Sequence, residues 1–312
     1  MQSDFERATC LEVVRQTRNV PRRRSSSANA GVLVIAADEA GRGPLAGPVV
    51  AAAIARWLPR DKSLPLGWIG LNDSKAMTES QRERTARDID QALASGCRAS
   101  LIAKNVHFVE APVIDELNIL QASLEAMAVC IHGCLVSSRE LYGPAVVTPG
   151  NVVILVDGPY LPHCLRIPGS RGGKPPKRGL LAPADVTELS RYAACARAIV
   201  KGDARCPSVA LASVAAKVAR DAHMTDVLDS KHPSYGFAKH KGYPVPSHVE
   251  VLSRLGPITG VHRRTYGPVK RAEGLWKKRN AALHRGKLAK KASTTAPRKK
   301  KSSLYTPVVR KR

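Results

Sequence analysis

Acidic residues stand where apolar segments of this chain end. Asp38 and Glu39 end the first segment, and Asp157 ends a later one. Asp203 follows a third. Strand ends can meet at one edge of a sheet, where such carboxylates repel one another unless a cation lies between them. Because Mg²⁺ and Mn²⁺ prefer hard oxygen ligands, the pattern predicts a divalent-metal site, although a turn at a strand end explains any single acid equally well.

The elements that must position these acids follow from hydrophobic patterning. A capping box at residues 78–81 predicts a helix that runs to residue 95. Further apolar spacing predicts helices over 112–138 and 209–228 and strands over 32–37, 49–55, 98–107, 152–156 and 195–200. Strands followed by alternating helices and strands predict an α/β fold with a mixed sheet.

Charge indicates the kind of partner. The 312 residues contain 50 Lys and Arg against 25 Asp and Glu, a formal net charge of +25. Residues 270–312 hold 16 of the basic residues and one acid. Such a tail favours a polyanion, most simply nucleic acid, through counterion release, although it can also serve solubility alone. No apolar stretch has the length of about 20 residues that a membrane span needs, so we expect no membrane partner.

We predict three parts for the chain. Residues 1–30 are an N-terminal extension and possible targeting segment, 31–270 a catalytic domain, and 271–312 a basic, irregular tail. The Arg-bearing extension has the character of a mitochondrial transit peptide, although its acids count against that. Basic runs at 277–279 and 298–301 are typical of nuclear signals. An intracellular location is expected, and mitochondrion and nucleus both stay open.

The seven cysteines predict thiols rather than disulfides, because their number is odd and no signal peptide precedes them. Cys130, His132 and Cys134 could form half of a zinc site. They lie in an apolar helical segment, however, and no second pair stands at ligand spacing. We therefore predict core cysteines.

Eight motifs in order carry a resemblance to a known family. Residues 38–50 read DEAGRGPLAGPVV and resemble the first motif of ribonuclease HII, the type 2 ribonuclease H family. Further similar segments lie at 71–75, 114–120, 156–158, 200–203, 212–221, 235–244 and 262–270. The resemblance covers about residues 31–270 and is nearer to the bacterial form.

This resemblance implies a ribonuclease-H-like mixed sheet with flanking helices and a C-terminal helical lid. It implies an endonuclease that hydrolyses the RNA strand of RNA–DNA hybrids and cuts 5′ to ribonucleotides embedded in duplex DNA. Asp38, Glu39, Asp157 and Asp203 would hold two Mg²⁺ or Mn²⁺ ions, and the products would carry a 5′-phosphate and a 3′-hydroxyl. We expect a monomer that acts in ribonucleotide and RNA primer removal during DNA replication and repair.

Substrate contacts are implied by the same resemblance. The turn Gly41-Arg42-Gly43 would approach the ribose 2′-hydroxyl, which separates RNA from DNA. Tyr235 would stack on the sugar after the ribonucleotide. The phosphate contacts would come from four further residues, namely Ser74, Lys75, Ser213 and Lys217.

Some features depart from the family pattern or allow other functions. Pro159-Tyr160 follow the third acidic motif where bacterial members usually have Asn-Arg, and Ala76 replaces a common Lys. A basic Gly/Pro loop enlarges the connection at 166–179. A non-catalytic nucleic-acid-binding protein would gain nothing from four acids near a phosphate, and the glycine and tyrosine motifs argue against an integrase. His240 and His262 are weaker candidates for a general base, since metal-bound water needs none.

Overall fold

The sheet has both parallel and antiparallel strand pairs. The computed structural model describes residues 2–17, 31–59, 77–95, 101–167, 175–176 and 178–295. In these residues one sheet has the order β3-β2-β1-β4-β5, and its strands are β1 (Gly31–Ala40), β2 (Val49–Pro59), β3 (Leu101–Val109), β4 (Val152–Asp157) and β5 (Ala196–Ile199). β1, β2 and β3 pair antiparallel, whereas β1, β4 and β5 run parallel. The predicted mixed sheet is confirmed.

Helices flank the sheet along most of the chain. They are α1 (Gln2–Thr17), α2 (Glu79–Ala94), α3 (Ala111–Leu117), α4 (Ile119–Tyr142), α5 (Pro183–Ser190), α6 (Gly202–Arg205), α7 (Pro207–Ala222), α8 (Phe237–His240), α9 (Pro246–Leu255) and α10 (Gly267–Thr295). A π-helical segment, His223–Asp229, continues α7. The predicted capping box starts α2, because Thr78 and Gln81 exchange side-chain and backbone hydrogen bonds.

Alternation along the strands buries both faces of the sheet. In β1, Leu33, Ile35 and Ala37 pack into the core on the α4 side. Val32 and Val34 point to the opposite core, which α1 and α7 cover. Because successive side chains of a strand point to opposite faces, an apolar run such as β1 needs helices on both sides. The sheet therefore lies between two helical layers.

Helix α4 is the central core helix on one side of the sheet. Its length and apolar composition would suffice to cross a bilayer, which differs from our expectation that no segment could. In this fold, however, Ala126, Cys130, Ile131 and Leu135 are fully buried against the sheet. Burial in the core therefore accounts for its hydrophobicity.

Helix α1 packs into the domain, which the prediction of a separate extension did not include. Its Cys10, Val13 and Val14 are buried in the core under β1 and β4. Glu6 is 1% exposed, and its Oε1 accepts a hydrogen bond of 3.2 Å from the Ser208 N–H in the first turn of α7. Its Oε2 lies 3.8 Å from Nη2 of buried Arg56 in β2. The helix thus joins the start of α7 to the sheet.

The C-terminal part of the described chain is helical. Helix α10 begins at Gly267 and continues to Thr295. The prediction of an irregular tail from residue 271 is therefore wrong for residues 271–295, where propensity for helix outweighs the loss of amphipathic periodicity. Residues 296–312 and most of the basic loop at 166–179 lie outside the described residues.

Glu6→Ala should destabilise the fold strongly. The substitution leaves Arg56 buried without a carboxylate, and its Nε and Nη1 already have no hydrogen-bond partner in the described chain. We expect the free energy of unfolding in urea to fall by about 3 kcal/mol. Glu12→Ala, on the exposed side of the same helix, should change it by about 0.5 kcal/mol or less. Equal effects of the two substitutions would contradict a buried ionic anchor.

Candidate functional site

Three of the predicted acids come together where β1 and β4 end. The two strands are parallel neighbours, and Ala37 pairs with Val156, so the next residues, Asp38 and Asp157, reach the same edge of the sheet. Glu39 follows on β1. Carboxylate oxygens of these three residues lie within 4.8 Å of one another. The register of one strand pair therefore creates the cluster.

Burial makes this concentration of negative charge unfavourable. The pKa of Asp38 is raised well above its usual value by burial first, and by the charges of Glu39 and Asp157 second. Burial also raises the pKa of Glu39, while Arg42, 3.2 Å away, opposes the rise. Hydrogen bonds to Asp38 from the Ser213 side chain and from the Glu39 N–H, at 2.6 Å, favour the charged form. Such a set of oxygen donors suits a hard divalent cation.

Asp203, the fourth predicted acid, lies next to the cluster on helix α6. It is 3% exposed, and its Oδ1 accepts a hydrogen bond of 3.0 Å from the Ala204 N–H. Lys201 takes a left-handed conformation with φ of 57°, which turns the chain from β5 into α6. The Gly202 N–H then donates to Asp157 Oδ1 at 2.7 Å. Asp203 is thus connected to the cluster through the backbone but is outside the group of three.

The predicted phosphate contacts fall into two groups. Ser213 and Lys217 share one face of α7, and Ser213 lies beside the cluster. Ser213 bonds to Asp38, and the Lys217 ammonium pairs with Asp221 at 2.8 Å. Their hydroxyl and ammonium groups therefore have partners within the protein. The other two candidates, Ser74 and Lys75, lie outside the described residues.

The turn after the acids needs glycine at its first position. Gly41 has φ of +95°, and a Cβ there would come within 2.1 Å of Arg220 Nε. Gly43 differs, since a Cβ would meet only the Tyr243 ring at 3.8 Å. Gly43 and Arg42 are both exposed. The protein itself does not require glycine at position 43, which leaves an open stretch of backbone beside the carboxylates.

A buried arginine, Arg263, holds this turn from beneath. Its Nη2 donates to the carbonyls of Gly41 and Gly47 at 2.7 and 2.9 Å. Its Nη1 donates to the Arg42 carbonyl at 3.0 Å and to the Tyr266 hydroxyl at 3.1 Å. The fully buried guanidinium thus satisfies backbone carbonyls rather than a carboxylate.

A second buried arginine, Arg220, acts from α7. Its Nε donates to the Pro48 carbonyl at 3.0 Å, and its Nη2 donates to the carbonyls of Ala46 and Lys241. Burial lowers its pKa to about 10, which still leaves it charged at neutral pH. Sequence analysis missed both arginines. The signal for Arg220 is a cation seven residues after Ser213, on the same face of α7.

Tyr235 is partly buried and packs against the cluster that contains Ala46 and Phe237. Its ring stacks on Phe237 at 5.6 Å, and its hydroxyl donates to the Gly256 carbonyl at 2.6 Å. The ring of buried His262 lies 5.4 Å away. Packing therefore accounts for the buried part of the Tyr235 side chain. The part that stays exposed is the surface that a ligand could contact.

The three residues weighed above as half of a zinc site have other partners in the structure. Cys130 and Cys134 are buried, and their thiols donate to the carbonyls of Ala51 and Ala53 at 3.4 Å. Burial raises the pKa of Cys134 to about 12. They are therefore core thiols, as predicted. His132 instead faces Asp185 and Glu188, and Arg139 already pairs with Glu188.

Comparison with known proteins supports the sequence motifs. A family model described as ribonuclease HII matches residues 35–152 and 184–267. Ribonuclease HII from Geobacillus thermodenitrificans (strain NG80-2) is 37% identical over 238 residues, 76% of this chain and 70% of that protein. The crystal structure of ribonuclease H2 from Pyrococcus horikoshii OT3 matches with a TM-score of 0.51 and 25% identity, over 79% of this chain and 99% of that one.

Asp38→Asn should stabilise the metal-free protein and weaken its response to metal. Removing one of three crowded carboxylates relieves repulsion, so we expect the free energy of unfolding at pH 7 in EDTA to rise by about 1 kcal/mol. Since the pKa of Asp38 is raised in the folded protein, this gain should be lost at pH 3, where both states are protonated. Mn²⁺ should raise the melting temperature of the wild type and not that of the variant. A lower stability in EDTA would contradict this.

Proposed function

We propose that this chain, which belongs to the ribonuclease HII family, cuts 5′ to single ribonucleotides embedded in duplex DNA. Membership of the family already makes it a ribonuclease H endonuclease that acts on RNA–DNA hybrids. The observation that carries the proposal is the cluster of Asp38, Glu39 and Asp157 directly before an exposed glycine turn. Acids supply the means of cutting, and the turn supplies the means of recognising ribose.

The chemistry proposed is two-metal-ion, in-line hydrolysis that leaves a 5′-phosphate and a 3′-hydroxyl. Asp38, Glu39 and Asp157 would be the main ligands of Mg²⁺ or Mn²⁺, and Asp203 would complete the set. When bound, such ions lower the pKa of an attacking water and stabilise the leaving 3′-oxygen. The Ser213 hydroxyl and the Gly202 N–H would keep Asp38 and Asp157 charged and oriented.

Ribose recognition is assigned to Gly41-Arg42-Gly43. Arg263 fixes the carbonyls of Gly41 and Arg42 toward the interior, so the turn has a defined outer surface. The open space at Gly43 allows a sugar to approach the backbone closely, where peptide groups can bond to the 2′-hydroxyl. DNA has no such hydroxyl.

Other residues would position the nucleic acid without reading its sequence. Ser74, Lys75, Ser213 and Lys217 are the proposed phosphate contacts. Lys217 would exchange Asp221 for a phosphate at the rim. Tyr235 would stack on the sugar after the ribonucleotide and so sense the RNA–DNA junction. The basic C-terminal region would add affinity that falls with salt.

We further propose a monomeric enzyme that removes ribonucleotides and RNA primers during DNA replication and repair. We propose the mitochondrion or the nucleus as its compartment, and cell fractionation distinguishes the two.

Asp157→Asn should abolish cleavage without abolishing substrate binding. We expect kcat on a DNA duplex with one ribonucleotide to fall at least about 1,000-fold in Mg²⁺, with affinity for the duplex in EDTA within about threefold of the wild type. Asp226→Asn, an exposed acid on the π-helix, is the control and should cleave normally. A protein that binds the duplex but never cuts it in either metal would instead be a non-catalytic binder.

Tyr235→Ala should change which substrate is preferred. We expect the ratio of kcat/KM for the single-ribonucleotide duplex to kcat/KM for a long RNA–DNA hybrid to fall by about tenfold, since one stacking contact is lost. Tyr235→Phe keeps the ring and should keep most of the preference. An unchanged ratio in Tyr235→Ala would remove the junction-sensing role while leaving the hydrolase assignment intact.

A further inference from the structure

We propose that three buried histidines, His240, His248 and His262, position Tyr235 relative to the glycine turn and thereby set the preference for an RNA–DNA junction. The inference rests on the proposed role of Tyr235. These histidines are positioning residues, because they act through Tyr235 and the turn. His240 and His262 were considered above only as general bases, a role that their burial disfavours.

Hydrogen bonds fix where the protons of two of these rings lie. His262 Nδ1 accepts from the Ile258 N–H at 2.9 Å, so Nε2 carries the proton and donates to His248 Nε2 at 3.3 Å. His248 therefore carries its proton on Nδ1, which donates to the Tyr243 carbonyl at 2.9 Å. Each ring is then satisfied only in its neutral form.

The third ring connects the chain of bonds to Tyr235. His240 Nδ1 accepts from the Gly242 N–H at 3.1 Å, so its Nε2–H donates to the Tyr235 carbonyl at 2.8 Å. The ring stacks on His248 with centroids 4.2 Å apart. Burial lowers the pKa of His248 to about 4 and that of His262 to about 3, which agrees with neutral rings at neutral pH.

The other end of the stack lies next to the residue that holds the glycine turn. The residue after His262 is Arg263, which donates to the carbonyls of Gly41 and Arg42. The His262 ring lies against the Tyr235 ring at 5.4 Å. His262 thus contacts the residue proposed to read the next sugar, and it is adjacent in the chain to the arginine that holds the turn proposed to read the ribose.

Burying three imidazole rings in a core costs desolvation free energy. Phe237, which packs among them, fills space without any polar group to satisfy. Burying a polar ring is unfavourable unless its hydrogen bonds are made, whereas those bonds fix ring orientation more narrowly than packing does. The polar rings therefore specify the distance between the turn and Tyr235.

The test compares two amide substitutions at one position. Gln at 240 places its amide near the original Nε2 and can donate to the Tyr235 carbonyl, whereas Asn reaches only the region of Nδ1. We expect H240N to lower the single-ribonucleotide to hybrid ratio of kcat/KM by about fivefold and H240Q to stay within about twofold of the wild type. H132F, on α4, is the control and should leave the ratio unchanged. H240F keeps the ring stack and replaces H240N if that variant does not fold.

A double-mutant cycle separates this inference from the proposed role of Tyr235. If the histidines act through Tyr235, adding H240N to Y235A should lower the ratio no further than Y235A alone. Additive losses, or equal ratios in H240N and H240Q, would overturn the inference while Tyr235 keeps its role. An unchanged ratio in Y235A alone would overturn both. Mn²⁺-induced thermal stabilisation of each variant shows that its metal site is intact.

Discussion

The parallel pairing of β1 with β4 is the constraint on which the rest of the structure depends. Its register sends two acids to one edge, and the tight turn before α6 brings a backbone N–H to the second of them. Carboxylates this close are held together against their own repulsion, so the scaffold must be rigid. Fully buried strands between two helical layers provide that rigidity. The stability of the core thus holds the carboxylates close together, and a bound cation would relieve their repulsion.

Around this edge, the backbone is held by cations and neutral rings. Arg263 bonds to carbonyls of the glycine turn, Arg220 bonds to the Pro48 carbonyl shortly after it, and both side chains are buried. A carboxylate partner for either arginine would add negative charge near the acidic cluster. Bonding to carbonyls avoids this. The same bonds make the turn a fixed surface, which suits recognition of a single hydroxyl.

Sequence patterning predicts the strands, α2 and the convergence of Asp38, Glu39 and Asp157, because apolar runs and strand ends have local signals. Arg263 has no such signal, since its partners are carbonyls more than 200 residues earlier in the chain. The role of Glu6 has no local sequence signal either, because its partners lie in β2 and α7. Asp203 follows a strand as expected, but the short helix α6 keeps it outside the closest group of acids. The long-range contacts that shape the site are therefore found only in three dimensions.

The docking of α1 has a consequence for how the chain folds during synthesis. Glu6 is made well before one of its partners, Ser208, which follows 202 residues later. Until α7 is made, the apolar face of α1 lacks part of its packing, and closing so long a loop is slow. Helix α1 is thus made well before its packing is complete. A nascent chain exposes apolar residues of this helix, such as Val13 and Val14, until its later partners are made, and such surface is what chaperones bind.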